Sequence, residues 1–211
     1  MAHIPTEVRR QQFIDAAVSV VAREGVDGAT TRRIAQEAGA PLATLHYCFQ
    51  TKENLLWAVF EQLADRVRVD VGETPVKGES VGAIAGYLIR ETVRWGLTNP
   101  DHNRAQIEIW LWAERNDQGF AVRLYDAFID ACKGLFQSAS SPLPERRLET
   151  VIRVVVSIID GLLMQLITHG DDKMIMREAE TAAAMLDAYL STEQLASSNG
   201  ARRPVKRAAR V

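Results

Sequence analysis

The chain has 211 residues, of which 47% are apolar and 25% charged, a balance that is typical of a folded protein and excludes disorder throughout. Its formal net charge of −2 excludes a uniformly basic surface, so any contact with nucleic acid must be local. Cys48 and Cys132 form no close-spaced ligand motif, and we expect free thiols in a reducing cytoplasm, with a single disulfide as the alternative.

Four helices are predicted in the first third of the chain. We place them at about residues 6–24, 31–38, 41–47 and 52–71. Thr6 can cap the first helix, which Gly25 then ends. Gly39 ends the short second helix, and Pro41 suits the first turn of the third because its missing N–H is not needed there.

A boundary at 72–78, which contains Pro75 and two glycines, precedes about five more helices. We place these at about residues 80–97, 101–115, 120–137, 145–168 and 173–190. The most apolar stretch, 154–167, is shorter than the ~20 residues of a membrane span and carries Asp160, so we interpret it as a buried helix. The first ten residues are too polar for a secretory segment, and no membrane contact is expected.

The segment 29–52 has the pattern of a helix-turn-helix. Such a unit needs a small residue where its helices cross, a glycine in the left-handed turn, and an apolar residue that packs back on the first helix. Ala35, Gly39 and Leu45 stand at positions i, i+4 and i+10, which meets these requirements. The triplet alone does not decide the matter, because Ala and Gly are common residues.

The wider segment, from about residue 9 to residue 60, resembles the DNA-binding domain of the TetR family of bacterial regulators. The features that carry the resemblance are Gly25, Thr30, Thr31, Ile34, Ala35, Ala38, Gly39, Thr44, Leu45, Tyr47, Phe49, Lys52 and Leu55. Farther along, the Ile-Trp-Leu-Trp segment at 109–112 with 115–117, and the segment at 160–162, look like the C-terminal domain of BetI-like members.

The resemblance implies an all-α fold of about nine helices, with an N-terminal three-helix DNA-binding domain and a C-terminal helical domain for dimerisation and ligand binding. The expected parts are a helix-turn-helix domain at 1–52, a linking helix at 52–71, the C-terminal domain at 72–192 and a flexible basic tail at 193–211. The implied function is that of a ligand-responsive repressor that binds a palindromic operator as a homodimer. The basic tail either adds phosphate contacts or is simply disordered, and we favour disorder.

The same resemblance assigns contacts with double-stranded DNA to individual residues. Thr31, Tyr47 and Lys52 would bind backbone phosphates, which set register and affinity. Arg32, with Arg33 as a second candidate, would reach a base edge or a phosphate. The residues expected to face the major groove are Leu42, Ala43, Thr44 and His46.

Two positions depart from the family pattern. Pro41 and Leu42 stand where a polar residue is usual, and His46 stands where tyrosine is usual. His46 can be interpreted equally well as a groove contact or as a plain surface residue. Because fewer polar groups face the groove, the shape of the operator is expected to contribute to recognition.

The helix at 145–168 is apolar on too many sides for a single interface, so we expect one side to meet a second subunit together with the last helix. The predicted interface residues are Val151, Val155, Ile158, Ile159, Gly161, Leu162, Met185 and Leu186. Aromatic residues of the middle helices either line an apolar pocket for an unknown small-molecule effector or pack as ordinary core. The predicted pocket residues are Trp95, Trp110, Trp112, Phe120 and Phe128, with Tyr125 among the same cluster.

Two other classes of function are compatible with a helical fold. One is an enzyme or small-molecule carrier, and the other is an interaction module that does not bind DNA. The four histidines are scattered, and no phosphate-binding glycine loop, nucleophile elbow or metal-ligand spacing occurs, so we expect no enzyme, cofactor or metal site. The combination of Thr31, Arg32, Tyr47 and Lys52 argues against the interaction module.

Overall fold

The computed structural model describes residues 5–73, 78–141 and 143–200. These residues form nine α helices and no strand, which confirms the predicted all-α fold. The helices are α1 (Thr6–Gly28), α2 (Thr31–Glu37), α3 (Leu42–Phe49), α4 (Lys52–Glu73), α5 (Val81–Thr98), α6 (Pro100–Asn116), α7 (Gln118–Phe136), α8 (Glu145–His169) and α9 (Asp172–Gly200).

Two glycines shape the N-terminal helices. Gly25 interrupts α1 with a φ of +71°, and Gly39 lies in the turn between α2 and α3 with a φ of +59°. Both conformations favour glycine because a side chain would strain the backbone there. The start of α1 differs from the prediction, since Pro5 occupies the capping position and Thr6 is already helical.

The apolar core of the N-terminal helices extends into the second half of the chain. It contains the buried sides of α1 to α4, and also Ala105, Ile109 and Ala113 of α6 with Phe120 of α7. Ile109 is fully buried in this core. The predicted boundary at 72–78 therefore divides the sequence, but α6 and α7 complete the core that supports the helix-turn-helix.

A second core lies between α5, α7, α8 and α9. Helix α5 approaches α9 closely, since a Cβ atom at Gly82 would overlap Asp187 and one at Gly86 would lie 3.2 Å from the Ala183 Cβ. Within the described part of the chain, α8 alone is long and apolar enough to cross a membrane. Core helices of soluble proteins have the same character, and eight residues of α8 are buried, so we assign it to the core as predicted.

The last helix is longer than predicted. Helix α9 continues to Gly200, because no proline or glycine interrupts the sequence between residue 190 and that glycine. Residues 193–200 are therefore helical rather than part of a flexible tail. The remaining residues of the predicted basic tail, 201–211, lie outside the described residues.

Candidate functional site

Helices α2 and α3 form a helix-turn-helix that packs on α1. Ala35 and Leu45, predicted to meet where the helices cross, are both buried. Phe49 at the end of α3 packs edge-on against Phe13 of α1, with ring centroids 6.4 Å apart. Arg10 fixes the same end of α3, because its Nη1 donates to a backbone carbonyl oxygen there at 2.7 Å and its guanidinium lies over the Phe49 ring.

The other side of the helix-turn-helix is exposed to solvent and carries several predicted DNA contacts. Tyr47 is 78% exposed, and its hydroxyl has no hydrogen-bond partner within the described residues. Arg32 is also exposed, and it makes no ion pair in the part of the chain that the structure describes. The remaining predicted residues of α2 and α3 are Ala43 and His46, which are exposed, and Thr31, Leu42 and Thr44, which are half-buried.

Two predicted DNA-contact residues have partners within the protein. Arg33 forms an ion pair with Glu24 of α1. Lys52 Nζ donates to the Val26 carbonyl oxygen at 2.5 Å, and partial burial lowers the Lys52 pKa, an effect that Asp27 opposes. These contacts join α2 and α4 to the end of α1. A phosphate contact by Lys52 would use the other N–H groups of its ammonium.

A cavity of about 180 Å³ lies between α4, α6, α7 and α8. The aromatic part of its wall consists of Phe60, Trp110, Tyr125 and Phe128. Its polar lining residues are Asn103, Gln106 and Asp160. Trp110 and Phe128, two of the five predicted pocket residues, thus line this cavity together with Tyr125.

The other three predicted pocket aromatics lie elsewhere. Trp112 Nε1 donates to Asp27 Oδ1 at 3.0 Å, at the end of α1. Phe120 is buried in the N-terminal core, and Trp95 packs edge-on against a histidine of α6. Trp112 points away from the cavity that Trp110 lines, because side chains two positions apart on a helix project about 200° apart around its axis. We therefore remove Trp95, Trp112 and Phe120 from the proposed pocket.

Asp160 is the charged residue of the cavity wall. Its Oδ2 accepts a hydrogen bond from the Tyr125 hydroxyl at 2.5 Å, and Trp110 packs edge-on against the Tyr125 ring. Burial raises the pKa of Asp160, while the hydrogen bond from Tyr125 opposes this rise. Burial also raises the pKa of Tyr125, and the neighbouring carboxylate raises it further. Within the described residues no lysine, arginine or histidine pairs with Asp160.

Two amides of the cavity wall are incompletely paired. Asn103 Nδ2 donates to the Leu163 carbonyl oxygen at 3.3 Å. Its Oδ1 and the Nε2 of Gln106 are buried and have no hydrogen-bond partner among the described residues. Since buried polar groups are normally hydrogen-bonded, these atoms mark a place for a polar group of a ligand or for ordered water.

One surface of α8 and α9 is apolar and exposed. Val154, Met164, Met185 and Tyr189 are each between 44% and 68% exposed. Gly161 lies on the same helix as Val154, and no atom lies within 4 Å of the place that a Cβ would occupy there. An apolar surface of this kind is typical of a protein–protein contact.

The predicted dimer residues divide between this surface and the core. Gly161 and Met185 are exposed, and Ile158 is half-buried. The other five are at most 9% exposed within the protomer's own core, namely Val151, Val155, Ile159, Leu162 and Leu186. A helix that is apolar on most sides does not reveal from its sequence which side meets its own core, and we therefore remove these five from the proposed interface.

Four residues that line the cavity were not predicted from the sequence, namely Phe60, Asn103, Gln106 and Asp160. A signal existed for Asp160, since it is the only charged residue in the apolar stretch 154–167. Asn103 and Gln106 carried no such signal, because amides are common on helix surfaces. The helical geometry and the exposed face of α2 and α3 together define a helix-turn-helix DNA-binding protein with a cavity between α4 and the C-terminal helices α6, α7 and α8.

Comparison with known proteins identifies the family. Residues 13–59 match the family of bacterial regulatory proteins described as the tetR family. The nicotine-responsive transcriptional repressor HdnoR of Paenarthrobacter nicotinovorans is 31% identical over 192 residues, which cover 89% of this chain and 96% of HdnoR. The chain therefore belongs to the TetR family.

The similarity extends over the C-terminal helices. The transcriptional regulator BetI of Rhizobium meliloti is 24% identical over 199 residues, covering 92% of this chain and 93% of BetI. Among solved structures, the multidrug binding protein EbrR complexed with imidazole is 25% identical, with a TM-score of 0.59 and coverage of 84% of this chain and 94% of EbrR. HdnoR and BetI are transcriptional regulators rather than enzymes. This chain is a ligand-responsive DNA-binding transcriptional regulator, and a carrier or interaction module is not favoured.

Proposed function

We propose that the protein is a cytoplasmic repressor that binds a palindromic operator as a homodimer and releases it when a small molecule occupies the cavity. The position of α6 carries this proposal. Gln106 and Trp110 of α6 line the cavity, whereas Ala105 and Ile109 pack into the core beneath the helix-turn-helix. A ligand that prefers one position of α6 therefore acts on the helices that hold the DNA-contact residues.

Polar contacts at the end of α1 strengthen this connection. The indole N–H of Trp112 in α6 donates a hydrogen bond to Asp27, and the Lys52 ammonium in α4 donates one to the neighbouring Val26 carbonyl oxygen. The turn that leads into α2 is thus attached to both α6 and α4. A shift of α6 would move this turn, and with it the spacing between the recognition helices α3 of two subunits.

The surface of α8 and α9 supports the homodimer. Its exposed apolar residues Val154, Met185 and Tyr189, with the half-buried Ile158 and the small Gly161 on α8, suit a four-helix contact between two copies. Two recognition helices related by a two-fold axis read two half-sites, which gives the specificity that one short helix lacks. HdnoR responds to nicotine and EbrR binds imidazole, which supports a small-molecule effector for this chain.

Selection of double-stranded DNA from a random pool by the full-length protein tests the proposal. We expect enrichment of a palindrome, and sedimentation of the complex as two protomers per site. Arg32→Ala should weaken operator binding by about 5- to 150-fold, the equivalent of ~1–3 kcal/mol for a base contact. Arg33→Ala removes the same charge but should cost less, because Glu24 already pairs with Arg33. Enrichment of no common sequence would overturn the proposal.

A further inference from the structure

We infer that the cavity selects a small organic cation, a one-ring amine or quaternary ammonium, whose charge lies against the Asp160 carboxylate. The inference rests on the proposed function, because it names the chemistry of the effector for the same cavity. Three features of the wall carry it: one carboxylate without a cationic partner, an aromatic lining, and a volume that fits a single ring.

The carboxylate is the first feature. Asp160 lies in a wall whose other residues are uncharged, and its hydrogen-bond partner Tyr125 is neutral. Asp160 keeps part of its surface exposed to solvent, yet the surrounding protein raises its pKa, since apolar neighbours disfavour a charge that has no opposite charge beside it. A bound cation supplies the missing charge. An anion would be repelled by the same carboxylate, and a neutral ligand would leave it uncompensated.

The aromatic rings are the second feature. Tyr125 binds the carboxylate, and the Trp110 ring packs edge-on against Tyr125 with ring centroids 5.5 Å apart, while Phe60 and Phe128 complete the aromatic part of the wall. Cations are attracted to the faces of such rings, most strongly to tryptophan. Because the Tyr125 hydroxyl binds Asp160, the hydrogen bond holds the carboxylate next to the aromatic surface. A ligand that combines a positive charge with an apolar ring matches both groups.

The volume is the third feature. The cavity measures about 180 Å³. An apolar cavity of about 150 Å³ is enough to hold a benzene ring in a protein core. The space therefore suits one ring with a short charged substituent. The unpaired amide atoms of Asn103 and Gln106 belong to the same wall and suit a polar substituent on that ring.

Isothermal titration of the full-length protein without DNA tests the inference with three probes of similar size. These are phenethylammonium, the neutral phenethyl alcohol and the anion phenylacetate. We expect the ammonium to bind at least about tenfold tighter than the alcohol, and phenylacetate to bind weakest, as the loss of one charge-assisted contact predicts. Asp160→Asn should abolish the preference for the ammonium. Asp126→Asn, which removes an exposed charge outside the cavity wall, should retain it.

Tyr125→Phe is a second variant for the case in which Asp160→Asn misfolds. It keeps the carboxylate, so the preference for the ammonium should persist although the affinity falls. Equal binding of ammonium and alcohol, a preference that survives in Asp160→Asn, or no binding of the ammonium at millimolar concentration would each overturn the inference. Operator binding is measured without any probe, so these outcomes leave the proposed DNA-binding function to its own test.

Discussion

The two functional regions of this protein differ in how their residues are brought together. The residues of α2 and α3 that we propose to contact DNA belong to one short segment of the chain, from Thr31 to Tyr47. The cavity takes its residues from four helices, among them Phe60 of α4, Gln106 of α6 and Asp160 of α8. A site built from one segment can be inferred from the spacing of its residues, whereas a site built from separate helices becomes visible only once those helices are packed.

The two regions nevertheless share a core, because α6 contributes to both. The largest predicted loss of stability comes from a substitution in this shared core. Ile109 of α6 is fully buried against the N-terminal helices. Ile109→Ala should lower the free energy of unfolding by about 2–5 kcal/mol, through lost apolar contact and the cavity left behind. Chemical denaturation, followed by circular dichroism and by tryptophan fluorescence, should show one transition for both regions.

Leu111→Ala provides the control on the same helix. Because Leu111 is partly exposed, this substitution should lower the free energy of unfolding much less than Ile109→Ala. Two separate transitions in Ile109→Ala, with only one of them displaced, would show that the N-terminal helices fold independently of α6. The two regions would then be independent domains.

The hydrogen bond between Trp112 and Asp27 gives the next largest effect. Trp112→Phe keeps most of the ring but removes the donor, and should lower the free energy of unfolding by about 1 kcal/mol. Operator binding, measured by fluorescence anisotropy, should weaken several-fold because the turn before α2 loses its attachment to α6.

A matched control for this variant exists within α4. Trp57 Nε1 donates to Glu61 Oε2 at 3.1 Å, so Trp57→Phe removes a tryptophan–carboxylate bond that lies within one helix. We expect a similar loss of stability and an unchanged operator affinity. Equal losses of operator affinity in both variants would mean that the Trp112 contact has no special part in the connection between the regions.

The smallest predicted effect is a change of stability with pH, which arises from a histidine at the contact between α4 and α6. His102 Nε2 lies 3.3 Å from the Val59 carbonyl oxygen, and burial lowers the His102 pKa below its usual value of 6.5, although the carbonyl group and Asp15 oppose this. At a pH between the lowered pKa of His102 in the folded protein and its usual pKa in the unfolded chain, the unfolded chain binds more protons than the folded chain. Stability is therefore present above about pH 6.5 and declines as the pH falls through that value towards the lower folded pKa.

Unfolding free energies of the wild type and of His102→Gln, measured at about pH 7.5 and about pH 5.5, test this sign. The loss on acidification should be smaller in the variant, which has no group that titrates in this range at position 102. An equal or larger loss in the variant would show that His102 is not buried as a neutral ring.

The helices and the helix-turn-helix could be predicted from the sequence because their signals are local. Gly39 and Leu45 act on their immediate neighbours, and the structure places both as the spacing indicated, whereas Thr6 is already helical and Pro5 takes the capping position. The side of α8 that faces outward could not be predicted, since Val155 and Ile158 look alike in a helix that is apolar all round. For the same reason Trp112 could not be separated from Trp110 until the surroundings of α6 were known.

The two sides of α6 have a consequence for how such a regulator changes over evolution. Side chains towards the cavity, such as Gln106 and Trp110, can be replaced without altering Ile109 and Ala113 on the opposite side. If the proposed function holds, a few substitutions here change the effector while the operator remains the same. For the design of a biosensor, this helix is the place to randomise, with the cavity-facing positions, which lie three and four residues apart, varied and the others kept.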